Sequence, residues 1–280
     1  LEAAIIRKTR GHDPILCEAT DTLGGQFLTA GEAPRKKEMK AAAISMAKKA
    51  ERLGVDIRMN TKVTPEMIEE IKPHTVMNAI GAESIIPPIP GVDKAFVKDS
   101  HDVLDGKAEA TGNVVVIGGG MVGMETAEYL AEKGAKVSVL EMLPDICSDM
   151  GTTRKICMGE EIQKSGIIPV TSVKVTEIGD NVVIGEKDGE KVEFPCDTAV
   201  LAIGAKKRDG SALAETCYKN GIGYFEIGDA AMARRAINAT REAMDAALTF
   251  DREDVHRDVS KPKKLVFITG ASGMMGGQTL

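Results

Sequence analysis

Short apolar runs alternate along the chain with longer segments of helical periodicity, and glycines stand at most of the junctions. The apolar runs include PILCEA, TVMNAIGA, VVVIG and DTAVLAIGA. Such continuous aliphatic runs are typical of strands buried on both faces of a parallel sheet. The helical segments, for example KKEMKAAAISMAKKAERLG and MVGMETAEYLAEKG, end on glycine, as helices often do. The alternation predicts βαβ units and an α/β fold.

Two of the strand-like runs end in the same way. NAIGA at residues 78–82 and LAIGA at residues 201–205 both carry an apolar run into an Ile-Gly-Ala turn. This repetition predicts two related nucleotide-binding domains. The charged segment 251–263 reads as a linker to a final piece, 264–280.

Composition narrows the classes of partner. The net charge of -6, from 36 basic and 42 acidic residues, is spread without a long basic run, so we expect no nucleic-acid partner. We also expect no membrane partner, because no apolar run approaches the roughly 18 residues of a membrane span. The five cysteines form no Cys-x-x-Cys pair and no metal-ligand ladder. We therefore expect no metal site and, in the absence of a secretory signal, a cytoplasmic location.

The segment GGGMVGMETAEYL carries the clearest chemistry. Gly118, Gly120 and Gly123 stand in G-x-G-x-x-G spacing between a predicted strand and a predicted helix. These glycines suit a tight turn, the approach of a pyrophosphate to the backbone, and close helix packing. Glu141 ends the next predicted strand, 18 residues after Gly123, where an acid can accept hydrogen bonds from a ribose.

Glu141 also bears on the choice of cofactor. Its charge would repel a 2'-phosphate, and the next arginine is Arg154, so the sequence favours NAD(H) over NADP(H). The alternative is a glycine turn that only packs a helix on a sheet, with Glu141 as a solvated acid at a strand end.

Two further acids stand at predicted strand tips. Glu18 occupies the equivalent place in the first unit and would hold the ribose of a second dinucleotide. Asp229 in EIGDAA could accept a hydrogen bond from a flavin ribityl hydroxyl. Its alternative role is to cap the helix over residues 234–250.

The ordered set CEATDTLGGQF, NAIGA, IPGVD, VVIGGGMVGMETAEYL, VLAIGA and GDAAMARRAINATREAMDAA resembles the FAD- and NAD-binding half of the enoate reductase, 2,4-dienoyl-CoA reductase and trimethylamine dehydrogenase family. The resemblance covers about residues 1–250. It implies two nested Rossmann-like domains, with an FAD domain at 1–110 and 206–250 and an inserted NAD(H) domain at 111–205. In that family a barrel with FMN and a 4Fe-4S cluster precedes this half.

The resemblance also implies site residues. The FAD would face Glu18, Gly24, Gly25 and Gln26, with Gly228 and Asp229 on its ribityl and phosphate side and Asn238 and Ala239 near the flavin ring. NADH would meet Gly118, Gly120, Gly123 and Glu141. The two cofactors carry the chemistry, so no catalytic side chain is predicted.

The departures from the family pattern limit the expected function. The chain lacks the barrel, so it should not reduce an enoate by itself and would work with the flavin barrel domain of the same parent polypeptide. The family's first glycine fingerprint is expected immediately before Leu1, so the first strand of the FAD domain is predicted to be missing. Disulphide reductases share the plan, but LGGQF lacks their redox cysteine pair.

The last residues, KLVFITGASGMMGGQTL, contain Gly270, Gly273 and Gly276. They resemble the start of a short-chain dehydrogenase, and we expect 264–280 to be the truncated beginning of a further domain. In the alternative, the linker carries KLVFITG back to the vacant first-strand position of the FAD domain.

These observations predict an NADH-oxidising flavin module that passes a hydride from NADH to FAD and electrons to an FMN and 4Fe-4S barrel. Two alternatives stay open. One is a trimethylamine-dehydrogenase-like module that holds ADP and transfers no hydride. The other is a nucleotide-binding fragment without turnover.

Overall fold

The computed structural model describes residues 1–148, 150–249 and 265–270. They divide into two compact units. The first comprises 1–31, 38–83 and the described residues from 205 onward, and the second comprises 32–37 and the described residues of 84–204. The helices, in chain order, are α1 (Glu2–Thr9), α2 (Gln26–Ala30), α3 (Lys37–Arg52), α4 (Pro65–Ile71), α5 (Ser100–Leu104), α6 (Met121–Glu132), α7 (Thr152–Ser165), α8 (Ser211–Lys219) and α9 (Ala236–Thr249). The strands are β1 (Asp13–Cys17), β2 (Asp56–Arg58), β3 (Thr75–Asn78), β4 (Ala82–Ser84), β5 (Val97–Asp99), β6 (Asn113–Ile117), β7 (Lys136–Leu140), β8 (Ile168–Val170), β9 (Lys174–Ile178), β10 (Val182–Lys187), β11 (Glu190–Pro195), β12 (Thr198–Leu201), β13 (Ala205–Lys207), β14 (Gly223–Glu226) and β15 (Leu265–Thr269).

The first unit is built on a five-stranded sheet in the order β14-β3-β15-β1-β2. Every pairing in it is parallel. One face buries Leu16, Met77 and Ile268, and the other buries Phe267 and Cys217. The continuous apolar runs are therefore covered on both faces, as expected for parallel strands.

The second unit contains a five-stranded sheet in the order β5-β12-β6-β7-β8 and an antiparallel sheet in the order β11-β10-β9. The pairings of the five-stranded sheet are parallel. Helix α6 follows β6 and contributes Met124, Ala127 and Leu130 to the core over Val116 and Val139. The α/β fold class with Rossmann-like parallel sheets is confirmed.

The second unit begins earlier than the sequence predicts. Its main segment starts at residue 84 rather than 111. The reason is that the stretch after residue 84 supplies β5, whose Val97 lies opposite Ala199 of β12. The short segment 32–37 also belongs to this unit, which no sequence pattern indicated.

Strand β15 corrects two expectations about the ends of the chain. The first-strand position of the first sheet is filled, because Leu265–Thr269 lies between β1 and β3 and pairs in parallel with both. The same strand therefore does not begin a separate domain, which was the main expectation for 264–280. It lies in the first sheet, as the alternative interpretation predicted. The expectations for 251–263 and for 271–280 concern residues outside the described part of the chain.

Candidate nucleotide-binding sites

The three glycines of the second unit occupy three different backbone environments at the turn between β6 and α6. Gly118 follows β6 with φ +110, and a Cβ there would overlap the carbonyl oxygen of Ala202. A Cβ on Gly123 would overlap the carbonyl oxygen of Gly118, so α6 can start against the turn only with glycine here. At Gly120, the N-cap of α6, a Cβ would meet no atom within 4 Å. This open position suits the approach of a phosphate.

Glu141 is buried beside this turn at the end of β7. Its Oε2 accepts a hydrogen bond from the Gly119 amide at 2.7 Å, and its Oε1 accepts one from the Leu143 amide at 2.9 Å. Each carboxylate oxygen can accept a second hydrogen bond. The carboxylate is therefore held at the glycine turn with acceptor capacity suited to a sugar hydroxyl.

Two cations of segment 32–37 pair with carboxylates of α6, and sequence reasoning missed both. Lys36 pairs with Glu125, and each of these side chains is only 10% exposed. Arg35 forms two 2.8 Å hydrogen bonds with the carboxylate of Glu128. Burial raises the pKa of Glu128 even though the Arg35 charge acts to lower it. No motif spacing relates these residues, which lie about 90 positions apart in the chain.

In the first unit Glu18 directly follows β1 and is fully buried. Its Oε1 accepts hydrogen bonds from the amide and the hydroxyl of Thr20, both at 2.8 Å. The strand-tip position predicted for this acid is therefore present, and Thr20 fixes the direction of the carboxylate.

Gly24 and Gly25 form the turn before α2. Both have positive φ values, +123 and +48, and Gly25 is the N-cap of α2. Gln26 is the first residue of that helix. Within the described residues, its buried Oε1 atom has no hydrogen-bond partner. An unpaired buried acceptor beside a glycine turn is a place where a ligand donor fits.

Gly228 and Asp229 lie in a single turn of 3-10 helix after β14. The Gly228 amide donates to Glu242 of α9 at 2.9 Å, and Glu242 also pairs with Arg234. The Oδ1 of Asp229 accepts from the Arg234 amide at 3.2 Å. Asp229 therefore bonds to the loop before α9, a helix that begins two residues beyond Arg234.

A small pocket lies at the carboxyl edge of the first sheet. Its lining includes Ala79, Ile227, Gly228, Ala239, Ala243 and Gly270. Two predicted residues, Gly228 and Ala239, thus meet there, while Asn238 is half-buried on the preceding position of α9. Ligands of open α/β sheets bind in such crevices beyond the carboxyl ends of the strands.

The comparisons with known proteins place this geometry in a family. The family model described as pyridine nucleotide-disulphide oxidoreductase matches residues 30–229. The chain belongs to this family.

Similar proteins agree with this assignment. This pyridine nucleotide-disulphide oxidoreductase domain is 41% identical over 206 residues to the bilirubin reductase of Mediterraneibacter gnavus. The match covers 74% of this chain and 32% of the relative. It is 38% identical over 252 residues to the NADH oxidase of Thermoanaerobacter brockii, covering 88% of this chain and 39% of the relative. A solved 2-naphthoyl-CoA reductase complex superposes with a TM-score of 0.82 at 28% identity, over 88% of this chain and 37% of that one. The chain thus spans about a third to two fifths of the length of these proteins.

Family membership makes the chain an NAD(P)H-dependent flavin oxidoreductase domain, with FAD and NAD(P)H as the cofactors that the family implies. The residues fit both groups. The second unit has an open backbone approach at Gly120. The first unit has the glycine turn Gly24–Gly25 beside the buried Gln26 acceptor, which has no hydrogen-bond partner within the described residues.

The cysteines bear on the disulphide part of the family name. Within the described residues none of the five forms a disulphide; four are buried and Cys157 is exposed. Burial raises the pKa of Cys17, Cys196 and Cys217 to about 11, so these thiols stay protonated near neutral pH. The segment LGGQF lacks the redox cysteine pair of disulphide reductases. We therefore predict that this member of the family does not reduce disulphides.

Within the described residues, no helix combines the length and apolar character needed to cross a bilayer. The same residues contain no cluster of three or more His, Cys, Asp or Glu side chains suited to a metal ion.

Proposed function

We propose that the chain is the NADH-oxidising flavin module of an enoate-reductase-like oxidoreductase. In this proposal the second unit binds NADH, the first unit binds FAD, and a hydride passes from one to the other. Electrons then go to FMN and a 4Fe-4S cluster on a barrel domain of the same polypeptide. The observation that carries the proposal is the turn Gly118–Gly120–Gly123 with Glu141 fixed beside it.

The choice of NADH rests on Glu141. Its carboxylate is buried at the turn and is bonded to the Gly119 amide, so a 2'-phosphate brought to this position would meet a negative charge at short range. The 2'-hydroxyl of NADH can instead donate a hydrogen bond to it.

The flavin supplies the hydride-accepting chemistry, and the protein binds and orients it. Gly24, Gly25 and Gln26 offer a turn with one open buried acceptor. Glu18 and Asp229 are carboxylates at the ends of β1 and β14, the first fixed by Thr20 and the second by the Arg234 amide. Asn238 and Ala239 on α9 would lie toward the flavin ring.

The relatives support the reductase assignment through their names, a bilirubin reductase, an NADH oxidase and a 2-naphthoyl-CoA reductase. The barrel partner and the enoate class of substrate rest on the resemblance in sequence order. A reducing cytoplasm is the proposed compartment, and five cysteines outside disulphides are consistent with it.

The test is an anaerobic titration of the FAD-loaded chain with NADH and, separately, with NADPH. We expect NADH to bleach the flavin absorbance, and we expect NADPH to do so at least about tenfold less efficiently. In the variant Glu141→Ala the preference for NADH should shrink. Bound FAD that stays oxidised under excess NADH would refute the proposal, and tight ADP binding by that same sample would favour the module without hydride transfer.

A further inference from the structure

Segment 32–37 belongs to the second unit, although the residues on both sides of it in the chain belong to the first. It brings two adjacent cations, Arg35 and Lys36, to carboxylates of α6. Arg35 has a φ of +61, a left-handed conformation that is unfavourable for a residue with a side chain. Local strain of this kind persists where the surrounding contacts impose it. The ion pairs with α6 are such contacts.

The paired carboxylates lie near the start of α6. Glu125 is five residues and Glu128 eight residues beyond Gly120, the N-cap of the helix. At about 1.5 Å of rise per residue, they stand about 8 and 12 Å along the helix axis from the N-cap. Both side chains are buried. Because buried charges are poorly screened by salt, each carboxylate acts on an anion at the helix start.

These carboxylates also act on one another. Burial raises the pKa of Glu128, the charge of Arg35 lowers it, and the charges of Glu161 and Glu125 raise it. Glu161 of α7 pairs with Arg35 at 3.2 Å and with Lys164 at 3.6 Å. The start of α6 is therefore close to a group of negative charges, and segment 32–37 supplies cations that balance them.

A dinucleotide at the turn Gly118–Gly123 would bring more negative charge to the same place. Its diphosphate carries two negative charges to the first turn of α6. The helix dipole favours them with the equivalent of about half an elementary positive charge. Uncompensated carboxylates farther along the same helix would oppose them. The balance of these charges therefore bears directly on the affinity for the dinucleotide.

We propose that Arg35 and Lys36 are positioning residues that act as counter-charges for the dinucleotide site. They neutralise Glu128 and Glu125, and the start of α6 can then accept a diphosphate without either cation touching it. This inference rests on the proposed function for the place of the ligand. The strand, the turn and the helix of this site are continuous in sequence. The charge of the helix is set by a segment about 90 residues earlier in the chain.

The first experiment measures the NADH affinity of the full chain and its variants by nucleotide fluorescence at low salt. Arg35→Gln should weaken NADH binding by at least about threefold, because it leaves the charge of Glu128 uncompensated. Arg35→Gln combined with Glu128→Gln removes the pair as a neutral unit, and the affinity should return to within about twofold of the wild type. A double variant that binds NADH no better than Arg35→Gln would overturn the inference, because a purely structural ion pair predicts that result.

The same comparison applies to the second pair. Lys36→Met should weaken NADH binding more than Arg35→Gln does, because Glu125 is nearer to the helix start, and added Glu125→Gln should restore it. Arg35 is 54% exposed, so Arg35→Gln keeps the test available if Lys36→Met does not fold. FAD binding by the first unit verifies the folding of that unit in each variant, and thermal unfolding verifies the second.

The matched control is a surface ion pair of the same unit. Lys94 pairs with Asp180, whose side chain is 99% exposed. Lys94→Gln removes one positive charge, as Arg35→Gln does, but it leaves no buried carboxylate behind. Its NADH affinity should stay within about twofold of the wild type. A loss equal to that of Arg35→Gln would show that net charge alone decides the affinity, and it would overturn the assignment to segment 32–37.

The second experiment uses salt, because repulsion between charges is screened and a misplaced helix is not. The affinity ratio between the wild type and Arg35→Gln is measured at about 20 mM and about 500 mM sodium chloride. The Debye length falls from about 20 Å to about 4 Å over this range, so the ratio should shrink to below about twofold. A ratio that is the same at both concentrations would contradict the counter-charge role.

The inference and the proposed function fail in different ways. If NADH bleaches the FAD-loaded chain while Arg35→Gln binds NADH as well as the wild type does, the inference fails and the function stands. If the affinities follow the charges but the bound flavin stays oxidised, the hydride transfer fails and the counter-charge role stands. A wild-type chain that binds no NADH overturns both.

Discussion

Each unit contains a five-stranded parallel sheet, but the two sheets are assembled differently. In the second unit β6, the glycine turn and α6 are continuous over residues 113–132. In the first unit the central strand β15 comes from residues 265–269, while the pocket beside it is lined by residues from near position 79, 228 and 239. The second site therefore depends on local sequence, whereas the first depends on a strand pairing between distant segments.

The largest expected effect tests that dependence at the buried centre of β15. Phe267→Ala should destabilise the first unit by about 3–5 kcal/mol, because it removes a fully buried ring. FAD binding should fall with it, while NADH binding at the second unit should persist. Phe194→Ala, in the half-buried β11 of the second unit, is the control that should leave FAD binding intact. Unchanged hydrogen exchange of the β1 and β3 amides in Phe267→Ala would contradict the claim that the first sheet depends on β15.

The next prediction concerns segment 32–37, which is distant in sequence from the main segment of the second unit. Lys36→Met should lower the unfolding free energy by about 3 kcal/mol, because it leaves the nearly buried Glu125 without the lysine charge. Lys94→Met is the matched control in the same unit. Its partner Asp180 is 99% exposed, so it should cost at most about 1 kcal/mol. Denaturant unfolding followed by loss of NADH binding measures both, and equal costs would contradict the burial argument.

A pair of glycine variants sharpens the account of the local site. Gly120→Ala should keep the stability of the second unit and weaken NADH binding by at least about 1.4 kcal/mol, because the methyl group enters the open phosphate approach. Gly123→Ala should reduce both stability and binding, because its Cβ overlaps the Gly118 carbonyl. Thermal unfolding and NADH titration separate the two roles, and loss of stability in Gly120→Ala would argue against them.

The smallest expected effect lies inside the first sheet. Thr269→Val should cost about 1 kcal/mol, since Asn78 loses the hydroxyl donor. Thr75→Val is the control on the neighbouring strand. Within the described residues the buried Thr75 hydroxyl oxygen has no partner, so this change should be neutral or stabilising. If the two variants lose the same stability, the Thr269–Asn78 bond does not select the strand.

The sequence is informative where the signal is local. The G-x-G-x-x-G spacing and Glu141 could be placed on a strand, a turn and a helix because these elements follow one another directly. The α/β class followed from continuous apolar runs for the same reason. Each of these predictions needed only a window of a few dozen residues.

The distant pairings carried no comparable signal. The apolar run at 265–269 fits any buried parallel strand, and its following glycines resemble another family, so the sequence offered its place in the first sheet only as the alternative. Likewise, nothing in the spacing of Arg35 and Lys36 indicates that they pair with the carboxylates of α6. Ion pairs and strand order of this kind are decided by packing in three dimensions.

The most direct test of the contrast between the units is amide exchange of the unliganded full chain, read at single residues. The account predicts that Val266, Phe267 and Ile268 exchange slowly, in the same range as the buried Val114, Val115 and Val116 of β6. Exchange of the three β15 amides at the rate of an unstructured peptide, with β6 protected, would contradict the claim that the first site is completed by this strand.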